Sequence, residues 1–128
     1  GTIGGLIART GASFGMRVRV WGRENSLNAA KAAGYEVAAS QDDLFAQADV
    51  LVIMARLSKD TRGLVKAAHL ARMKPSALLI NTARAELIEP GALVAALKAG
   101  RPGMAATDVY ENEPVQHGDH PLLKLDNA

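Results

Sequence analysis

Apolar and polar residues alternate along this chain in two rhythms, and the switches between them mark out the elements. After a glycine-rich turn at Gly1 to Gly5, the residues Leu6, Ile7 and Phe14, with small residues between, predict a helix over Leu6–Phe14 that Gly15 ends. Arg17-Val-Arg-Val-Trp21 alternates with period two and predicts a strand. Ser26 suits the N-cap of a helix through Ala33, stopped by Gly34. A short strand over Tyr35–Ala38 leads to a helix through Gln47, capped by Ser40 or Asp42. Asp49-Val-Leu-Val-Ile-Met54 has the apolar pattern of a strand buried on both faces of a parallel sheet. A helix around Lys66–Met73 and a strand over Ala77–Asn81 follow. Then come a helix over Pro90–Ala99, with Gly100 beyond its end, and a strand over Gly103–Val109. Glu111–Ala128 reads as loop.

Strands and helices therefore alternate at the spacing of βαβ units. The fold this predicts is α/β, a doubly wound parallel sheet with helices on both faces. Ligands of such sheets bind at the carboxyl ends of the strands, where the strand order reverses. The residues just after Trp21, Met54, Asn81 and Asp108 are accordingly the ones that bear on function.

Composition narrows the classes. With 128 residues there is room for one domain. The chain is 48% hydrophobic and 22% charged, which excludes a disordered segment. No apolar run is longer than Val50 to Ala55, which falls far short of the ~20 residues of a membrane-spanning helix. No secretory leader is visible, and the lack of cysteines excludes disulfides, thiolate zinc sites and cysteine nucleophiles. A cytoplasmic location is the expectation, with no metal and no membrane partner. Fifteen basic residues against 13 acidic ones, a net +2 with no basic cluster, argue against nucleic acid. The chain opens at Gly1 in a turn and stops at Asp126-Asn127-Ala128 without a closing element, so both ends read as cut.

Gly1-Thr2-Ile3-Gly4 before a helix is half of a G-x-G-x-x-G phosphate loop, in which glycine lets backbone approach a pyrophosphate. A plain helix cap has the same appearance. A dinucleotide site also calls for an acid at the end of the next strand, where Gly22-Arg23-Glu24 stands. Arg23, with Ser26 as helper, suits a 2′-phosphate and points to NADP; alternatively Glu24 holds the ribose and Arg23 is solvated. Arg84, Asp108 and Glu113 fall at carboxyl ends of neighbouring strands, where one crevice would hold them. A guanidinium offers a planar fork for a carboxylate or 2-keto acid, and a carboxylate can orient a histidine as general acid/base. For isolated residues, surface salt bridges explain the same charges. Of the histidines, His69 lies on a helix and reads as structural, whereas His117 and His120 sit in the loop after the carboxylates.

Taken together, several stretches resemble the nucleotide-binding domain of the D-isomer-specific 2-hydroxyacid dehydrogenases, in the phosphoglycerate dehydrogenase and glyoxylate/hydroxypyruvate reductase branch. They are Gly1-Thr-Ile-Gly4, Ser13-Phe-Gly-Met-Arg-Val18, Met73-Lys-Pro75, Asn81-Thr-Ala-Arg-Ala-Glu-Leu-Ile-Glu89, Gly91-Ala-Leu-Val-Ala-Ala-Leu97 and Asp108-Val-Tyr-Glu-Asn-Glu-Pro114. The Asn-Thr-x-Arg and Asp-Val-x-x-x-Glu-Pro pair at this separation is the specific part. The resemblance implies an NAD(P)-dependent oxidoreductase, dimeric and cytoplasmic, in which the cofactor exchanges a hydride with C2 of a D-2-hydroxy or 2-keto acid. By the same resemblance Arg84 holds the substrate carboxylate and carbonyl. Glu113 pairs with the catalytic histidine, and Asp108 accepts from the nicotinamide carboxamide. Gly1 and Gly4, with Thr2 and Ile3 between, are the second and third glycines of the phosphate loop. Arg56, Ser58, Thr82 and Ala83 line the nicotinamide ribose side.

The departures from the family pattern carry expectations of their own. The family's catalytic histidine follows the Asp-Asn that is here Asp126-Asn127, so it lies past Ala128, and His120 matches a loop position instead. The first strand, the first glycine and the separate substrate domain are missing, Ala83 replaces a common Ser, and Gly22 replaces the ribose-binding Asp. Without the first strand, those at Arg17 and Asp49 are expected to face a one-strand gap with unpaired backbone, making the chain alone marginal. The alternative readings are a non-catalytic dinucleotide sensor of the corepressor kind, or an inactive remnant.

Overall fold

A computed structural model describes residues 1–128, which fall into two units, Gly1–Leu44 and Phe45–Ala128, with the boundary inside one helix. In the first unit, helix α1 spans Thr2–Ser13, with Gly1 as its N-cap and Phe14 as its C-cap. The expected turn at Gly1 to Gly5 is thus mostly helix. Gly5 N–H already donates to Gly1 O at 3.0 Å, so the helical hydrogen bonding begins at the first residue. Strand β1 (Arg19–Val20) pairs in parallel with β2 (Glu36–Val37), both shorter than expected. Between them α2 covers Glu24–Ala32 and is capped at Arg23, not at Ser26, whose N–H donates to Arg23 O at 2.8 Å. Ser40 does open α3 (Gln41–Gln47), its Oγ accepting from Asp43 N–H at 3.0 Å. Asp43 returns the bond by accepting from Ala39 N–H at 3.1 Å, a reciprocal arrangement that satisfies two otherwise orphaned donors. Arg19 bridges Glu36 and Asp43 at 3.2 and 3.3 Å, and Arg17 reaches Glu36 at 2.7 Å.

The second unit is built on β3 (Val50–Ile53), β4 (Leu78–Asn81) and β5 (Met104–Thr107), parallel and adjacent in that order. Leu51, Leu79 and Ala105 pair in one row and point to a buried face, as the period of two requires. Helices α4 (Ala67–Ala71) and α5 (Ala92–Ala99) supply Leu70, Leu93 and Leu97 to this core. Met73, Leu79 and Leu87 are wholly inaccessible. The opposite face carries Val50, Leu78 and Met104 in register, and Val50 and Met104 remain 45% and 58% exposed. The expectation that the β3 segment is buried on both faces therefore fails: the strand is apolar on both faces but covered on one.

Two glycines shape this unit. Gly100 takes φ +81 beyond α5, the left-handed stop read from the sequence. Gly103 lies so close to the Pro75 carbonyl that an added Cβ would collide with its oxygen. The start of α5 was expected at Pro90, but Gly91 at φ +74 is its N-cap, and the helix begins at Ala92. The segment expected as loop contains a 3₁₀ turn over Pro121–Lys124. Asn127 is tied in as well: its amide donates to Leu97 O and Gly103 O, and its carbonyl accepts from Ala105 N–H at 2.9 Å. The ladder β1–β2 and the ladder β3–β4–β5 are not hydrogen-bonded to each other, in keeping with the break expected where the first strand is missing. Within this chain, β1 and β3 are each hydrogen-bonded along one side only.

Candidate functional site

In the first unit the residues singled out for a phosphate sit at the start of α1. Thr2 and Ile3 are exposed, and no acidic side chain lies in the first turn. No side chain caps the helix, so its first N–H groups carry the partial positive charge that anions seek. A Cβ at Gly1 or Gly5 would meet no atom of the chain within 4 Å. Packing inside the chain therefore does not require glycine at either place, which suits a close approach from outside. After β1, Gly22 is half-buried, and a Cβ there would make ordinary contact with Ser26 at 3.5 Å. Arg23 is exposed, sits at the N-cap of α2 with extended backbone, and forms no ion pair within the chain.

The second unit gathers the other candidates at the carboxyl end of its sheet. The loop after β3 holds Arg56 and Ser58 and is organised by Thr61, which is buried. Thr61 hydroxyl donates to Arg56 O at 2.6 Å and accepts from Ser58 N–H at 2.8 Å, so one hydroxyl closes the turn. At the end of β4, Asn81 is 2% exposed and acts as a clamp. Its Oδ1 accepts from Ala83 N–H at 3.1 Å and its Nδ2 donates to Arg84 O at 3.0 Å, fixing the backbone on both sides of Ala83. Thr82 and Arg84 are left exposed, Arg84 with extended backbone and one donor, Nη1, on Ala83 O at 2.6 Å. It has no carboxylate partner in the chain.

Asn81 pairs in register with Thr107 on β5, and Thr107 hydroxyl lies 3.1 Å from Asn81 O. The exposed Asp108 follows directly, so the structure brings the Arg84 loop and Asp108 to adjacent strand ends. Glu113 behaves differently. Its Oε1 accepts from Tyr110 N–H at 2.8 Å, closing its own loop and leaving Oε2 without a partner in the chain.

The carboxylate–histidine pair actually present is Glu111 with His120, 2.8 Å apart, which the sequence reading did not single out. Burial opposes ionisation of Glu111. The hydrogen bond from His120, one from its own backbone and attraction to the His120 ring outweigh that effect and hold its carboxyl below the ordinary value. Thr61 and Asn81 also went unassigned in the sequence. Their only signal is a hydroxyl or amide placed two to five residues from the backbone it serves, a short-range spacing found in many turns. His69 accepts from Lys66 N–H through Nδ1 at the start of α4, the structural role expected for it. A cleft of about 140 Å³ is lined by Asn81, Leu93, Thr107, Glu111, His120 and Leu122. It is too small for a dinucleotide, since pockets for ligands of even drug size run to roughly 300–1,000 Å³.

Over residues 1–128 the chain matches the family described as D-isomer specific 2-hydroxyacid dehydrogenase, NAD binding domain. A glyoxylate reductase from Aeropyrum pernix is 39% identical over all 128 residues, which make up 38% of that protein. An oxidoreductase structure from Ralstonia solanacearum superposes with a TM-score of 0.96 at 54% identity, covering 99% of this chain and 37% of that one. A phosphoglycerate oxidoreductase from Vibrio cholerae gives 0.94 at 48% identity, covering 99% and 40%. The chain thus spans less than half the length of the proteins it matches.

Proposed function

Since the chain belongs to the D-isomer-specific 2-hydroxyacid dehydrogenases as their NAD-binding domain, we propose that the complete protein is an NAD(P)-dependent oxidoreductase acting on a small D-2-hydroxy acid or its 2-keto acid, of the glyoxylate, hydroxypyruvate or phosphoglycerate kind. The observation that carries this reading is Arg84. An exposed guanidinium with no carboxylate of its own, on a loop clamped from both sides by a buried asparagine, is built to receive a carboxylate from outside. Asp108, one residue beyond β5, stands on the neighbouring strand end.

The residues present fit a dinucleotide. The uncapped start of α1, without acidic side chains and open beside Gly1 and Gly5, suits a pyrophosphate. When bound, a nicotinamide supplies the hydride chemistry. Gly1, Thr2, Ile3 and Gly4 bind phosphate through backbone N–H groups, and Arg56, Ser58, Thr82 and Ala83 line the ribose. Asp108 accepts from a carboxamide N–H and so orients the ring. Arg84 holds the substrate carboxylate and keeps C2 in line. Glu113, through its unengaged Oε2, orients a histidine that moves the hydroxyl proton. Arg23 favours NADP through a 2′-phosphate, whereas Glu24 favours NAD, and the cofactor proposal is NAD or NADP. The same reading takes residues 1–128 as one nucleotide-binding domain of a cytoplasmic homodimer whose partners are small molecules, not nucleic acid or membrane.

Rates of NADH and NADPH oxidation by the complete protein with glyoxylate, hydroxypyruvate and related 2-keto acids test this. Turnover with at least one is expected. If none is reduced while nucleotide still binds, the sensor reading replaces this one.

A further inference from the structure

Two loops carry the proposed reacting groups of the second unit, and they are held by different means. The Arg84 loop is clamped by Asn81 from within. The loop from Asp108 to Glu113 is tied at its start by the Thr107 hydroxyl, which meets Val109 O at 3.1 Å and Val109 N–H at 3.3 Å, whereas further along the Glu113–Tyr110 bond has both ends inside the loop. Such a bond sets local shape but does not anchor the loop to the core. The anchor for Tyr110 and Glu111 comes from His120, nine residues beyond Glu111.

His120 is the N-cap of the Pro121–Lys124 turn, and its Nδ1 accepts from Leu122 N–H at 3.2 Å. Leu122 is buried, so the turn is fixed to the core. With Nδ1 serving as an acceptor, the neutral ring carries its proton on Nε2. That N–H donates to Glu111 Oε2 at 2.8 Å, a charge-assisted bond. The ring also meets Tyr110 edge to face, with centroids 4.8 Å apart. The two nitrogens therefore join a turn held by the buried Leu122 to residues 110 and 111, and Tyr110 N–H in turn sets the Glu113 carboxylate.

We propose that His120 is a positioning residue, its Nε2–H bond to Glu111 holding the Asp108–Glu113 segment in the geometry the reaction uses. It touches neither substrate nor cofactor. The inference rests on the functional reading above, and it gives the two nitrogens separable tasks: Nδ1 caps the turn, and Nε2 aims the loop.

Side-chain mimicry separates them in the complete protein. His120→Asn puts a short amide where Nδ1 caps the turn but does not reach Glu111. His120→Gln puts an N–H where Nε2 lies but leaves Leu122 N–H uncapped. Hydrogen exchange of the cofactor-free protein is expected to quicken over residues 108–113 in His120→Asn and over residues 121–124 in His120→Gln. Turnover of the best 2-keto acid is expected to fall about tenfold to a hundredfold in His120→Asn and in Glu111→Ala, the range that a small misplacement of reacting groups costs. His120→Gln and Glu111→Gln, which keep a hydrogen bond at that place, are expected to restore most of the rate. Equal exchange over 108–113 in His120→Asn and in the unaltered protein would overturn the proposal, as would a His120→Gln rate as low as that of His120→Asn. A protein that reduces no 2-keto acid overturns the functional reading alone, because the exchange pattern is read without turnover.

Discussion

In residues Gly1–Leu44 only Ala30 and Ala38 are buried apolar residues, while Ile3, Leu6, Phe14 and Met16 each stay more than half exposed. In Phe45–Ala128 a continuous set from Leu51 and Ile53 through Leu70, Met73, Leu79 and Leu87 to Leu97 and Leu122 is closed to solvent. The first unit is held by a two-residue parallel ladder, helix hydrogen bonds and ion pairs around Glu36. Exposed pairs of that kind are worth only about 0–1 kcal/mol each. The second unit has its own core, and the loops on its strand ends inherit that rigidity. The contrast divides the proposed labour. Groups proposed to meet the reacting atoms (Arg84, Asp108, Glu113) stand on the well-buried unit. Those proposed to meet the phosphates stand on a helix that buries nothing of its own.

The sharpest way to break this contrast is to truncate one side chain in each unit. Leu79→Ala, at a wholly buried position on the central strand, is expected to cost about 2–5 kcal/mol in urea unfolding of the chain. Leu6→Ala, 57% exposed on α1, is expected to stay within about 0.5 kcal/mol. A comparable loss from both would mean that the α1 stripe is covered in solution. Glycine replacements sharpen the comparison with opposite signs. Gly103→Ala drives a methyl group into the Pro75 carbonyl and is expected to destabilise by about 1–3 kcal/mol. Gly5→Ala, inside α1 with open space around it, is expected to stabilise by about 0.5–1 kcal/mol.

The smallest effect belongs to the Glu111 carboxylate. Its folded-state pKa is held below the ordinary value, so its contribution is complete above the unfolded value of about 4.3 and fades as pH falls through the lower folded value. Carboxyl shifts followed by NMR are expected to place its midpoint below that of free glutamate, and His120→Ala is expected to raise it. A midpoint unmoved by that substitution would detach Glu111 from His120.

Much of the scaffold was legible because its signals are local. Glycines after the helices, the Ser40 cap and the period of two in the strands each act within a few residues, and Gly15, Gly34, Gly100 and Ser40 stand where they were expected. Other starts were misread where two local signals competed. Thr2–Gly5 contains helix despite its glycines, and Gly91, not Pro90, opens α5. One-sided burial of the β3–β5 sheet was not legible, because an apolar strand has the same pattern whether covered or bare. For the candidate site, motif spacing led to Arg84, Asp108 and Glu113. The clamps made by Thr61 and Asn81 depend on side-chain hydrogen bonds that no periodicity announces. Glu111 and His120 are nine residues apart in an irregular stretch, and only folding the Pro121 turn brings them together.

The central claim is that the Arg84 guanidinium, on the loop clamped by Asn81, holds the substrate and does not itself bind the nucleotide. Its most direct test compares kcat/KM for the preferred 2-keto acid, and the dissociation constant of reduced nucleotide, between the complete protein and Arg84→Lys. Keeping the charge but losing the planar fork is expected to lower kcat/KM about a hundredfold with nucleotide affinity unchanged. Undiminished kcat/KM in Arg84→Lys would contradict the account.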